Sequence, residues 1–270
     1  NYAEDLRIDH SILDQHADSY RKIRNTFRYL LGNLNDNFEK IDLEKINLSE
    51  LPKLEQFMLH KIYSLNNKFK NYFKNYDFHN LYKELLNFCT VDLSAFYFDI
   101  RKDTLYCDEF DSQKRKSTII LLNTILNALL KWFAPILSFT TEEIFRLISK
   151  NNKSIHLEKF LNFPSSFKNE ALNNKWQELI KIRNICNISI EEKRASKEIG
   201  SSLEAELKID LNDKFKDITK NIDFSELCIT SKATISFSTI TEVEVNTIKA
   251  KGSKCSVCWK ISEELCPRHS

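Results

Sequence analysis

Over the first 150 residues, hydrophobic side chains recur every three or four positions, which is the spacing of one face of an α-helix. The first run consists of Leu13, Ala17, Tyr20, Ile23, Phe27, Leu30 and Leu34. After a predicted loop over residues 33–42, a second run consists of Leu51, Leu54, Met58, Ile62, Leu65, Phe69 and Tyr72. Ser49 is the predicted N-cap of this second helix, with Pro52 in its first turn.

Three further helices are predicted in the same part of the chain. Asp77 is placed to cap a stretch that contains Phe78, Leu81, Leu85, Phe88, Phe96 and Ile100. The broadest apolar stripe lies in Ser117–Phe133, and Pro135 should end or kink that helix. The sequence T-T-E-E at Thr140–Glu143 has the pattern of a capping box and predicts another short helix. Five helices with short connections predict a mainly α fold, with a helical bundle over residues 1–150.

The pattern changes in the rest of the chain. Pro164 lies in a mixed segment that marks a predicted boundary, and a long helix is expected over residues 168–197. Beyond Gly200, apolar and polar residues alternate from Leu203 to Leu211, as in a half-buried strand. Shorter alternating pieces at 227–229, 234–237 and 242–245 complete a predicted small α+β module over residues 151–248. The tail, residues 249–270, has neither period and is too short to bury a core, so it needs another staple.

Composition excludes several kinds of function from this chain. Its 270 residues include 3 Gly, whereas average usage gives roughly 19. Phosphate-cradling loops need clustered glycines, and Gly32, Gly200 and Gly252 are far apart, so neither a P-loop nor a dinucleotide fingerprint is present. No apolar run is long enough to predict a membrane span. Four cysteines are scattered singly, which favours a reducing, cytoplasmic location.

Four residues near the end of the chain have the spacing of metal ligands. Cys255 and Cys258 form one C-x-x-C pair, and Cys266 and His269 form a C-x-x-H pair, with seven residues between the two pairs. Four nitrogen and sulfur ligands match a tetrahedral, structural zinc ion, whose binding would also stabilise the tail. The alternative is three free thiols near a chain end.

The tail is also locally basic, although the whole chain has a formal charge of only +2. Lys254, Trp259 and Lys260 accompany Lys249, Lys251 and Arg268, against Glu263 and Glu264. An aromatic ring beside lysines is suited to stack an unpaired nucleotide base. The alternative for Trp259 is packing over the metal as a miniature core, and the sequence leaves both open.

A second basic surface is predicted on the first helix. Arg21, Arg24, Asn25 and Arg28 fall on one face, offset from its apolar stripe. Guanidinium groups at this spacing can contact phosphates or base edges, although an ordinary solvated helix face has the same pattern. No hydrolytic motif such as G-x-S-x-G or H-E-x-x-H occurs, so the residues alone predict a binding protein, with RNA as the favoured partner.

Several segments together resemble a known family. Residues 18–36, 93–107, 134–143, 199–205 (I-G-S-S-L-E-A) and 254–259 (K-C-S-V-C-W) are similar, in the same order, to the anticodon-binding region of bacterial isoleucyl-tRNA synthetases. These are class I aminoacyl-tRNA synthetases, and the resemblance covers essentially the whole chain. The helical motifs are shared more loosely by the synthetases for valine and leucine.

The resemblance implies the C-terminal, anticodon-recognition part of an ATP-dependent isoleucine–tRNA ligase. The family's catalytic motifs H-I-G-H and K-M-S-K-S do not occur, so ATP, Mg²⁺ and the catalytic residues would belong to a domain outside this sequence. Lys193–Lys197 superficially echoes the second motif but falls within a predicted helix. The implied partner is the isoleucine tRNA, bound by a monomeric, cytoplasmic enzyme. The family's zinc ligands correspond to Cys255, Cys258 and Cys266, and its usual fourth cysteine is replaced by His269.

Two alternatives remain open at this point. One is the equivalent region of a valyl- or leucyl-tRNA synthetase. The other is a stand-alone helical, zinc-binding adaptor that contacts protein rather than RNA.

Overall fold

The computed structural model describes residues 8–34, 38, 42–149, 153–239, 242–266 and 268–269. Within these ranges the chain divides into two units. Unit 1 comprises the described residues up to Asp99 together with Glu109–Asn169. Unit 2 comprises Ile100–Asp108 together with the described residues from Glu170 onward. Unit 2 is thus built from two stretches that are far apart in the sequence.

Unit 1 is a helical bundle. Its α-helices are α1 (His10–Leu34), α2 (Lys53–Lys74), α3 (Phe78–Asn87), α5 (Gln113–Phe133) and α6 (Ser138–Ile148); the helix between α3 and α5 in sequence, α4 (Asp99–Cys107), belongs almost entirely to unit 2. Asp77 caps α3 by accepting a hydrogen bond from the Asn80 amide, as predicted. Ser112 caps α5 in the same way through the Arg115 amide, so this helix begins four residues before the predicted start.

The segment Phe88–Phe98 winds as a π-helix between α3 and α4. The sequence predicts a helix here but not this wider winding. Six of its side chains are buried, namely Phe88, Cys89, Leu93, Phe96, Tyr97 and Phe98. A π-helix has more residues per turn than an α-helix, so its apolar residues need not follow the 3.6-residue period.

Aromatic side chains dominate the core of unit 1. The Trp132 ring packs edge-on against Phe69, with ring centroids 4.9 Å apart, and Phe27 packs against Phe133 at 5.9 Å. The polar atoms of these rings have partners: the Trp132 Nε1–H donates to Asn66 Oδ1 at 3.1 Å, and the Tyr97 hydroxyl donates to Glu55 at 3.0 Å. Buried aromatic residues of this kind are stable because their polar ends are satisfied.

Two predicted helix starts in unit 1 are wrong. Pro52 is the N-cap residue of α2, with a non-helical ψ of 156°, and Ser49 lies in a separate 3₁₀ turn, Leu48–Glu50. The Asn47 side chain accepts a hydrogen bond from the Ser49 amide and so caps this separate turn. The α6 helix begins at Ser138, so Thr140 is inside it and does not cap it.

The glutamate next to the proposed capping box has a different task. The Glu142 carboxylate accepts hydrogen bonds from the Ser154 hydroxyl at 2.8 Å and the Ile155 amide at 3.0 Å. The hydrogen bond from Ser154 is the largest of the causes that lower the pKa of Glu142. Glu142 therefore attaches the 3₁₀ turn Ile155–Leu157 to α6.

The predicted stripe of α1 is buried over only part of its length. Ile23, Phe27, Leu30 and Leu34 are buried, whereas Leu13 is 56% exposed and Tyr20 is 38% exposed. The Tyr20 hydroxyl hydrogen-bonds to Thr140 on α6 at 3.0 Å. The first turns of α1 thus extend beyond the bundle core.

Unit 2 contains the α+β module that the alternation predicts. The long helix α7 (Glu170–Ala195) packs on a three-stranded sheet of β1 (Ala205–Asn212), β2 (Lys232–Ser238) and β3 (Val243–Lys249). The strand order is β2-β1-β3, with β1 parallel to β2 and antiparallel to β3. The alternating residues of β1 that are fully buried are Ala205, Leu207, Ile209 and Leu211.

Short helices connect these strands, and one of them corrects a predicted strand. The segment 227–229 is not a strand, because α9 (Phe224–Leu227) forms there and Ile229 follows with a positive φ of 57°. Asp223 caps α9 by accepting from the amides of Ser225 and Glu226. A second short helix, α8 (Lys216–Thr219), follows β1. No helix within the described ranges is long and apolar enough to cross a membrane.

We expect Asn66→Ala to destabilise unit 1 by about 1–3 kcal/mol. Asn66 accepts from Trp132 and donates to the Leu161 carbonyl at 3.2 Å, so its loss leaves the buried Trp132 N–H and the partly buried Leu161 carbonyl without this partner. Urea unfolding followed by tryptophan fluorescence measures the change. Asn67→Ala, at the exposed neighbouring position of the same helix, is the matched control and should leave stability unchanged or slightly raised. Equal effects of the two substitutions would contradict this role.

Candidate metal centre and basic surfaces

The tail of unit 2 is folded around a small hairpin. Strands β4 (Ser253–Lys254) and β5 (Ile261–Ser262) pair antiparallel. Between them the chain closes a tight knuckle, in which the Cys255 amide donates to the Lys260 carbonyl at 2.9 Å and the Trp259 amide donates to the Cys255 carbonyl at 3.1 Å. The sequence has no strand period here because each strand is only two residues long.

The hairpin begins at the one glycine of the tail. Gly252 has a φ of 115°, and a Cβ atom at this position would lie 2.0 Å from the Ser262 carbonyl oxygen. Only glycine accommodates both the backbone conformation and this close approach. The tail is also attached to the sheet, because the Ile261 amide donates to the Ser231 hydroxyl at 2.6 Å.

The four predicted ligand residues come together at the knuckle. The nearest side-chain atoms of Cys255, Cys258, Cys266 and His269 all lie within 4.8 Å of one another. The sulfurs of Cys258 and Cys266 are 3.8 Å apart, and His269 Nδ1 is 3.6 Å from the Cys255 sulfur and 3.4 Å from the Cys266 sulfur. These residues form what we call the Cys₃His cluster.

The distances fit a tetrahedral metal ion. Bonds of about 2.3 Å to sulfur and about 2.05 Å to nitrogen, at tetrahedral angles, require sulfur–sulfur separations of about 3.8 Å and sulfur–nitrogen separations of about 3.6 Å. The three separations given above lie within 0.2 Å of these, and all four ligand atoms lie within 4.8 Å of one another. The cluster therefore has the donor set and the size of a closed structural zinc site, with no position left open for a substrate.

Backbone amides favour the thiolate form at two of the cysteines. The pKa of Cys255 is lowered to about 6, and the largest cause is the hydrogen bond that the Cys258 amide donates to its sulfur. The Arg268 amide lowers the pKa of Cys266 in the same way. Burial raises the pKa of Cys258. Since a metal binds the thiolate and not the thiol, the N–H···S bonds prepare Cys255 and Cys266 for binding.

His269 is oriented by the end of α4. Its Nε2 lies 2.9 Å from the Cys107 carbonyl oxygen, so the protonated nitrogen is Nε2 and Nδ1 is directed at the sulfurs. Ligating histidines usually have such a partner on the second ring nitrogen. Cys107 itself is not one of the four ligand residues, and its thiol donates to the Val257 carbonyl at 3.8 Å. Sequence reasoning missed the contact between His269 and the Cys107 carbonyl, since 162 positions separate these two residues.

Trp259 does not pack over the cluster as a miniature core. Its side chain is 58% exposed, and the Lys254 ammonium lies 5.1 Å from the ring centroid. The residue has a positive φ of 64°, a strained value for tryptophan. The exposure of the ring argues against the miniature core, and stacking of a base on Trp259 stays a prediction.

A cleft of about 840 Å³ adjoins the cluster within unit 2. Its lining carries five lysines, namely Lys208, Lys232, Lys251, Lys254 and Lys260, together with Glu206, Glu263 and Glu264. Lys208 and Lys232 come from the sheet and were not among the predicted binding residues. Arg268 is engaged by Asp103 and Asp108, so counting it among the basic residues of the tail overstates the free positive charge there.

The predicted surface of α1 is exposed to solvent. Arg21, Arg24, Asn25 and Arg28 all have exposed side chains, as their spacing predicts. Arg21 forms a salt bridge with Asp18 at 2.6 Å, but both side chains are more than half exposed, so the pair holds Arg21 only weakly. The α1 surface belongs to unit 1, whereas the lysine-lined cleft belongs to unit 2.

Comparison with known proteins identifies the family. Residues 55–209 match the family described as the anticodon-binding domain of tRNA ligase. This match covers more than half of the chain, from α2 to β1, so the chain belongs to the tRNA-ligase anticodon-binding family.

Individual relatives narrow the comparison. The chain is 70% identical over its whole length to isoleucine–tRNA ligase of Pelagibacter ubique and covers 30% of that protein. It is 37% identical to isoleucine–tRNA ligases of Agrobacterium fabrum and Bartonella quintana, where 98% of the chain aligns with 28% of each. The chain therefore spans about 30% of the length of the curated relatives it matches.

We expect Gly252→Ala to open the hairpin of the tail. The added methyl group would collide with the Ser262 backbone and would also strain the positive φ, so the β4–β5 pairing should be lost. Hydrogen exchange of the Cys255 and Trp259 amides should then become faster. Gly32→Ala is the matched control: a methyl group there meets nothing within 4 Å and, inside α1, should stabilise the helix by about 0.5–1 kcal/mol. Unchanged exchange in Gly252→Ala would contradict the close approach.

Proposed function

We propose that this chain recognises the anticodon region of the isoleucine tRNA as part of an isoleucine–tRNA ligase. The match of residues 55–209 to the anticodon-binding family carries the proposal. Isoleucine is the amino acid named for each of the three relatives above, which favours this tRNA over those for valine and leucine. Joining isoleucine to tRNA with ATP would be the task of the complete ligase, whose catalytic residues, ATP and Mg²⁺ we place outside this sequence.

Two surfaces supply the chemistry that RNA recognition needs. On α1, Arg24 and Arg28 present guanidinium groups that can contact phosphates or base edges. In the tail, Trp259 offers an exposed ring, and Lys254 and Lys260 place positive charge around it. Bases of an anticodon loop are unstacked, so they can stack on such a ring while cations hold the backbone.

We further propose that the Cys₃His cluster holds one structural zinc ion. Support comes from the ligand spacing, from the amide donors on Cys255 and Cys266, and from the Nε2 contact of His269. The metal would cross-link a tail that has little apolar core and thereby hold Trp259 and Lys254 at the surface.

For the metal, we expect Cys258→Ser to lower the zinc content of the purified chain from about one ion per molecule to a small fraction of that. Cys258 is a buried ligand residue, and a serine hydroxyl binds zinc poorly. Elemental analysis after gel filtration measures the content. Cys107→Ser is the matched control, because Cys107 lies beside the cluster without being one of its ligands, and it should keep its zinc. Full zinc content in Cys258→Ser would rule out the assigned ligand set.

For the RNA, we expect Trp259→Ala to weaken binding of the isoleucine tRNA by about 1–3 kcal/mol. The loss should be smaller for the same tRNA carrying a swapped anticodon if the Trp259 ring reads the identity of the base on which it stacks. Fluorescence anisotropy at fixed salt measures both affinities.

Two comparison variants sharpen the test. Phe139→Ala removes another highly exposed aromatic side chain, 93% exposed on α6, and should leave both affinities unchanged. Arg24→Ala should weaken the binding of both RNAs and reduce the salt dependence of their affinity if this side chain contacts phosphate. Equal losses for both RNAs in Trp259→Ala would exclude base readout by Trp259.

A further inference from the structure

Residues at the end of α4 make three hydrogen bonds with Arg268 and His269 near the end of the tail. Arg268 donates to Asp108 Oδ1 at 2.6 Å and to Asp103 Oδ1 at 3.0 Å. The neighbouring His269 contacts the Cys107 carbonyl through Nε2. We call Asp103, Asp108 and Arg268 the clamp.

The clamp is not an ordinary surface ion pair. The side chain of Arg268 is 33% exposed, and those of Asp103 and Asp108 are 28% and 14% exposed. One guanidinium between two partly buried carboxylates is held in a fixed orientation, since its planar fork of donors must satisfy both. The exposed pair Asp213–Lys216, with both side chains about half exposed, has no such restraint.

Arg268 is placed to transmit this restraint to two ligands. Its backbone amide donates to the Cys266 sulfur, and its carbonyl carbon is bonded to His269. Fixing the Arg268 side chain therefore restricts the backbone on which Cys266 and His269 sit. The Cys107 carbonyl adds a second restraint on the imidazole of His269.

We propose that Asp103 and Asp108, acting through Arg268, are positioning residues that set the metal affinity of the Cys₃His cluster. The metal site then includes a helix end about 160 positions earlier in the sequence. This inference rests on the proposed metal binding and extends it to residues that bind no metal themselves. Outer residues of this kind change metal affinity by about 10–100-fold in other sites.

Two variants of the full chain test the clamp. Asp103→Asn/Asp108→Asn keeps the side-chain shapes and removes the charges that hold Arg268. Arg268→Lys keeps the positive charge and removes the planar fork. Competition with a chromogenic chelator measures Zn²⁺ affinity, and we expect it to fall about tenfold or more in both variants.

The Co²⁺ spectrum separates positioning from ligand loss. Saturated with Co²⁺, both clamp variants should show the wild-type tetrahedral bands and thiolate charge-transfer band, because all four ligands remain. His269→Ala should alter these bands and serves as the reference for a lost ligand. As a control, Asp213→Asn should keep its Zn²⁺ affinity within about twofold of the wild type.

The outcomes distinguish this inference from the proposal beneath it. If the wild type binds Zn²⁺ and the clamp variants keep an affinity within about twofold of it, the role of the clamp alone is overturned. Tighter binding in Asp103→Asn/Asp108→Asn would also overturn it, because that result is expected if the carboxylates act only by repelling the thiolates. A wild-type chain that takes up neither Zn²⁺ nor Co²⁺ would overturn the metal site and the clamp together.

Discussion

Unit 2 depends on β1 being paired on both sides. The strand joins β2 in parallel and β3 antiparallel, and its alternate side chains are fully buried. From this strand the order extends outward, because the Ser231 amide donates to the Ala205 carbonyl of β1 at 3.0 Å and the Ser231 hydroxyl then receives the Ile261 amide of the tail. The tail is thus ordered by polar links to a strand whose own stability comes from hydrophobic burial.

Polar links replace apolar burial throughout the tail. A segment of about twenty residues cannot exclude enough water to fold by itself, so it combines short backbone bonds, the Cys₃His cluster and the clamp. The basic side chains of the tail therefore have two different roles. Arg268 is used within the fold, while Lys254 and Lys260 line the cleft that is available to a ligand. The nearly neutral charge of the chain is therefore compatible with a locally positive surface.

The extent to which the sequence predicts this structure follows from how local each interaction is. Helices α1, α2, α5 and α7 and strand β1 were predictable because their apolar residues repeat with the period of the element. The Cys₃His spacing was also predictable, since its ligands lie within fifteen residues. The π-helical stretch breaks the 3.6-residue period, and the contact of Cys107 with His269 joins residues 162 positions apart, so neither leaves a local signal. The Ser49 and Thr140 caps failed because Asn47 and Ser138 begin their turns earlier.

The discontinuity of unit 2 has a consequence for how this protein can be divided. A fragment that starts at Glu170 would contain the sheet and all four residues of the Cys₃His cluster, yet it would lack residues 100–108. With them it would lose Arg101, whose nearly buried guanidinium binds Glu226 at 2.5 Å, and the aspartates that hold Arg268. Such a fragment would lack the Arg101–Glu226 ion pair and would have a loosened end of the tail. A change in the length of the segment between α3 and α5 therefore also affects the tail, although more than 130 residues separate the two in the sequence.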